Sequence, residues 1–122
     1  MRALAGDAMV MSGAGHAYVP AAEHLLYVDS LLRVTCTVMP GPSLVRLEGD
    51  IDVTNRAEAV SALQRARRID ADLIVDVGRV GFIDLAGLRS LLGLAACDGV
   101  VVRDTPRQMR RLIDVLGLPP LD

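Results

Sequence analysis

The chain has 122 residues, with 13 basic side chains against 15 carboxylates and a formal charge of -2. All 13 are Arg, and without a single Lys the sequence holds no Walker-type phosphate loop, kinase lysine or pyridoxal Schiff base. The near-neutral balance gives no basic surplus for direct nucleic-acid binding, and Tyr18, Tyr27 and Phe82 are too few aromatics for a base-stacking surface.

A composition that is 52% hydrophobic predicts one domain with an aliphatic core. No run approaches the ~18 uninterrupted apolar residues of a membrane span. Asp7 breaks the stretch that a signal peptide would need, so a soluble, cytoplasmic protein without membrane contact is expected. Cys36 and Cys97 are far apart and form no C-x-x-C, so both read as small buried hydrophobes. Neither a metal nor another cofactor is expected.

Residues 1–27 are rich in Ala and Gly without a sustained period. They are expected to form a mobile segment or the remnant of an upstream sensory domain, with the ordered domain over 28–118 and a tail over 119–122. His16 and His24 fall in this first stretch with no pattern that would make them ligands. Leu32, Val34, Cys36 and Val38 then alternate with Arg33, Thr35 and Thr37, the period of a half-buried strand. After the turn Met39 to Ser43, the segment Leu44 to Glu48 alternates in the same way and predicts an antiparallel hairpin.

A first helix is expected after Thr54 or Asn55, with Asn55 and Glu58 in capping-box spacing and Ala59, Val60, Leu63 and Ala66 on its apolar face. Arg56, Gln64, Arg65 and Arg68 lie largely on the other face. Leu73 to Val77 reads as an inner strand. A second helix follows Asp84, with Leu88, Leu91, Leu92 and Ala95 at i, i+3, i+4 and i+7. Val100 to Val102 forms a short strand, and Thr105 with Pro106 opens a third helix on which Met109, Leu112, Ile113 and Leu116 repeat the stripe. The predicted class is α/β, a mixed sheet with helices mainly on one face, in the order β-β-α-β-α-β-α.

Four blocks carry a resemblance: Leu47 to Thr54, Leu73 to Val77, Val80 to Leu88 and Arg110 to Leu118. In this order and spacing they resemble a STAS domain of the anti-sigma-factor antagonist type. The resemblance implies a bacterial, non-enzymatic protein that binds an anti-sigma factor, usually a histidine-kinase-like ATPase, and so releases a sigma factor. It implies a partner surface at Asp50, Asp52, Thr54, Asp84, Leu85, Ala86, Gly87, Leu88 and Arg89. In such proteins an Asp-Ser-Ser/Thr-Gly-Leu turn opens the second helix, and its first Ser accepts a phosphoryl group. Here Asp84 and Gly87 match, but Leu85 occupies the phosphoacceptor position and Ala86 the next. Ser90 lies too far along the helix to reach the terminal N–H groups. Two readings of Leu85 stay open: an apolar docking anchor in a form that phosphorylation does not switch, or a residue that only packs under a loop. The alternative function is a ligand-sensing or scaffolding module, and an exposed sheet edge would allow a weak homodimer.

Overall fold

The computed structural model describes residues 22–122. Its elements are β1 (Ala22–Val28), β2 (Leu32–Val38), β3 (Ser43–Ile51), α1 (Arg56–Ile69), β4 (Leu73–Ile83), α2 (Leu85–Ala95), β5 (Val100–Arg103) and α3 (Arg107–Leu116). The five strands form one sheet in sequence order: β1, β2 and β3 pair antiparallel, and β3, β4 and β5 pair parallel.

The alternation in β2 and β3 does what the hairpin reading requires. Val34, Cys36, Val45 and Leu47 are buried, and across β4 the same face continues with Val75 and Val77. Against it pack Ala59, Ala62, Leu63 and Ala66 of α1 and Leu88 and Leu91 of α2. The small alanines let α1 approach the sheet closely, while Val60, expected in the stripe, is only half-buried. The opposite face carries a cross-strand line of Thr35, Arg46, Asp76 and Arg103 in register. Asp76 sits between two guanidiniums there, 3.8 Å from Arg46 and 3.7 Å from Arg103.

Several expectations need correction. The sheet begins at Ala22, so residues 22–27 belong to it rather than to an N-terminal segment ending at 27. A register shift between Leu25 and Tyr27 breaks the alternation that would have marked the strand. The remainder of that expectation, including His16, lies outside the described residues; His24 stands in β1. The third helix starts one residue later than expected, with Pro106 at its N-cap and no side-chain cap bond. The Thr105 hydroxyl is instead buried and, among the described residues, has no hydrogen-bond partner. In its stripe only Met109 and Ile113 are buried, and Leu116 is exposed.

Gly117 takes the left-handed conformation (φ 66°), and bonds from its N–H to the Asp114 carbonyl and from the Leu118 N–H to the Ile113 carbonyl close the helix. The chain then turns back: Leu121 is buried in the core, and Arg110 pairs with Asp122 at 3.3 Å. Of the two cysteines only Cys36 is buried, while Cys97 is exposed beyond the end of α2.

The turn from β1 to β2 is organised by Asp29. One carboxylate oxygen accepts from the Leu31 and Leu32 N–H groups, both at 2.7 Å, and the other from the Tyr27 hydroxyl at 2.6 Å. That last bond favours the neutral phenol and pushes the Tyr27 pKa up to about 12. Because the folded value lies above the unfolded one of ~10, this contribution to stability is present below about pH 10 and is lost as pH rises toward 12. Absorbance titration of a Tyr18→Phe variant, which leaves Tyr27 as the only phenol, is expected to give a midpoint near 12. A midpoint at ~10 would mean that the bond to Asp29 is not made in solution.

Candidate functional site

The carboxyl ends of the parallel strands β3 and β4 lie side by side, with Asp50 opposite Phe82 and Ile51 opposite Ile83. Open α/β sheets place their ligand and partner sites at this end, where loops and helix starts converge. The Asp84 N–H donates to the Ile51 carbonyl at 3.0 Å, which fixes the start of α2 against the end of β3.

Between β3 and α1 the loop is held by its own side chains. The Asp52 carboxylate accepts from the Thr54 hydroxyl at 2.5 Å and the Thr54 N–H at 2.9 Å, an Asx-type turn. These bonds, the hydroxyl's first, hold the Asp52 carboxyl below the usual carboxylate range. Asn55 is fully buried and turns inward: its Oδ1 accepts from the Asp52 N–H and its Nδ2 donates to the Asp50 carbonyl, each at 3.0 Å. The expected capping box with Glu58 is therefore absent. Asn55 is spent on buried backbone groups that would otherwise go unpaired, the more costly omission, and Glu58 is exposed.

Asp84 caps α2, accepting from the Gly87 N–H at 2.8 Å through one oxygen. Its other oxygen takes the Arg56 guanidinium at 2.7 Å. This bond ties the first turn of α1 to that of α2 across 28 residues of sequence, so Arg56 is not simply a solvated side chain of its helix. Ser90 donates to the Ala86 carbonyl at 3.0 Å, inside the helix and away from its free N–H groups.

The nine residues expected at a partner surface divide into two groups. Gly87 and Leu88 are core: Leu88 is fully buried, and a Cβ on Gly87 would stand 3.0 Å from atoms of Asp84, Ile51 and Ile83. The spacing of the turn motif could not separate the side of the helix that faces the sheet from the side that faces out. Asp50, Asp52, Thr54, Asp84, Leu85, Ala86 and Arg89 are half-buried or exposed, and the paired strand ends and the Arg56–Asp84 bond gather the two loops that carry them.

Two apolar residues not named from the sequence share this end: Val53 at the tip of the β3–α1 loop, 74% exposed, and Phe82 near the end of β4, 54% exposed. Leu85 itself is 41% exposed, so a large part of its side chain is open to solvent at this end. Val53 could have been suspected as an apolar residue set among Asp52, Thr54 and Asn55, and Phe82 as the only Phe of the chain. Among the described residues no group of three or more His, Cys, Asp or Glu could hold a metal ion, and no helix is long and apolar enough to cross a membrane.

Residues 38–120 match the family model described as "Mlab, STAS domain". The fold is similar to the crystal structure of an anti-sigma factor antagonist from Mycobacterium paratuberculosis, with a TM-score of 0.58 and 24% sequence identity over 75% of this chain and 88% of that one. A search of curated proteins found no significant sequence match.

Proposed function

The chain belongs to the STAS domain family, and from that premise we propose that it is a non-enzymatic anti-sigma-factor antagonist. It acts in the cytoplasm of a bacterial cell, binding an anti-sigma factor of the kinase-like ATPase type and so releasing a sigma factor. The docking surface is the strand end formed by Asp50 to Thr54 and by the outward side of Asp84, Leu85, Ala86 and Arg89.

The observation that carries this reading is the exposure of Leu85 in the first turn of α2, at the same end as Val53 and Phe82. Exposed large apolar side chains rimmed by carboxylates mark contact surfaces rather than catalytic ones. Of the carboxylates nearby, Asp52 closes its own turn and Asp84 caps α2 and pairs with Arg56, so neither of these two is free to transfer a proton.

With Leu85 and Ala86 in place of hydroxyl residues, the partner's ATP has no acceptor at the start of α2. Phosphorylation would add about -2 of charge to such a surface; here the surface stays in one state, and release is controlled by other means, such as the amount of the protein. Incubation with ATP and the kinase-like anti-sigma factors of its own cell is expected to leave the intact mass unchanged. Leu85→Ser, which returns a hydroxyl to the first turn, is expected to gain one phosphate. A phosphorylated wild-type chain would contradict the proposal.

A further inference from the structure

Between α1 and α2 runs a groove of about 490 Å³ that the docking surface does not use; neither Val53, Phe82 nor Leu85 lines it. Its walls come from one face of each helix, Val60, Leu63, Arg67 and Arg68 from α1 and Gly93 and Leu94 from α2 among them. The volume falls in the range of small-molecule sites, and so does the mixture of apolar walls with a few polar groups.

Two features of the groove have no explanation within the fold. The first is Gly93, in the last turn of α2. Glycine destabilises a helix relative to alanine, and a Cβ at Gly93 would meet nothing within 4 Å, so internal packing does not require its absence. The missing side chain leaves open space on the groove wall.

The second is Arg67. Its Nε is enclosed and, among the described residues, has no hydrogen-bond partner. Among the described residues neither Arg67 nor Arg68 forms an ion pair, and no carboxylate lines the groove. Both stand in the last turn of α1. The C-terminal ends of α1 and α2 each present about half a negative charge. Two guanidiniums exceed that sum and leave roughly one positive charge for something else. From Val60 to Arg67 the groove is about 10 Å long, the length of an aliphatic chain of roughly eight carbons.

We propose that the α1–α2 groove binds a linear, medium-chain aliphatic carboxylate, with its chain along Val60, Leu63 and Leu94 and its head group on Arg67 and Arg68. This would give the domain a small-molecule input separate from its protein-docking end.

Octanoate titrated into the ¹⁵N-labelled full chain is expected to shift the amide signals of Val60, Leu63, Gly93 and Leu94 saturably. Gly93→Leu fills the groove from a position with free space around it. It is expected to melt no lower than the wild type and to weaken octanoate at least tenfold. Arg67→Gln combined with Arg68→Gln is expected to weaken octanoate about tenfold while leaving octanol unchanged. The proposal is overturned if octanoate gives no saturable shifts, if the shifts lie away from the groove, if a folded Gly93→Leu binds as the wild type does, or if octanol binds the wild type as tightly as octanoate.

Discussion

Gly49→Ala is expected to remove most of the stability of the domain. Gly49 lies in β3 with φ 116°, a backbone region that L side chains rarely adopt. A Cβ there would stand 1.9 Å from the Leu31 carbonyl oxygen and 3.0 Å from its carbon, both backbone atoms of the β1–β2 turn. That oxygen is engaged as well, accepting from the Asp50 N–H at 2.9 Å. Relief would require β3 to move away from the turn, breaking this bond and displacing the residues that lead into the docking loop. Backbone strain alone costs about 1–3 kcal/mol; with the clash and the lost bond, the expected total exceeds about 4 kcal/mol, a large share of a typical 5–15 kcal/mol domain stability. Gly117 provides the contrast. Its φ is also positive, at 66°, but a Cβ there meets nothing within 4 Å, so Gly117→Ala is expected to cost only about 1 kcal/mol. Urea denaturation of both variants checks the pair. Equal, small losses would show that the β3 path near Leu31 is not as described.

The helices and the β2–β3 hairpin were legible because each alternates or repeats with a single phase. Leu88 with Leu91 and Val34 with Cys36 point to one core whichever element is read first. β1 was not, because its bulge puts Leu26 and Tyr27 next to each other against the core and leaves Leu25 and Val28 exposed, which in sequence looks like an unpatterned apolar run. The site was legible in position but not in detail. That a helix starts after Asp84 follows from its cap and from the stripe that begins at Leu88. The pairing of Asp84 with Arg56 depends on a parallel crossover that brings two helix starts together, and no local rule announces it. Asn55 has the composition of a helix cap and even the spacing of a capping box. Its burial between the Asp50 carbonyl and the Asp52 N–H is a tertiary demand that overrides the local preference.

The second large effect concerns Leu85 and the partner. An exposed leucine that becomes buried in an interface contributes about 1.5–3 kcal/mol. Replacing it by Asp removes that contribution and places a further carboxylate at an end that already carries Asp50, Asp52 and Asp84. A loss of about 3–4 kcal/mol, the size of an interface hot spot, is expected, which corresponds to roughly a 150- to 700-fold weaker affinity. Leu85→Ser removes only the apolar contact and is expected to weaken binding by about tenfold to a hundredfold. Neither change threatens the fold: Leu85 is 41% exposed, and an acidic residue in the first turn of a helix favours that helix. Circular dichroism and melting curves of both variants should match those of the wild type.

The measurement that bears most directly on the proposed role is calorimetric titration of purified anti-sigma factors from the same cell with the wild type, Leu85→Ser and Leu85→Asp. Saturable binding of the wild type to at least one of them is expected, with affinity falling in that order by about one to two and then two to three decades in total. Wild-type binding that survives Leu85→Asp unchanged, or no binding to any anti-sigma factor by a folded wild-type chain, would contradict docking through this end of the sheet.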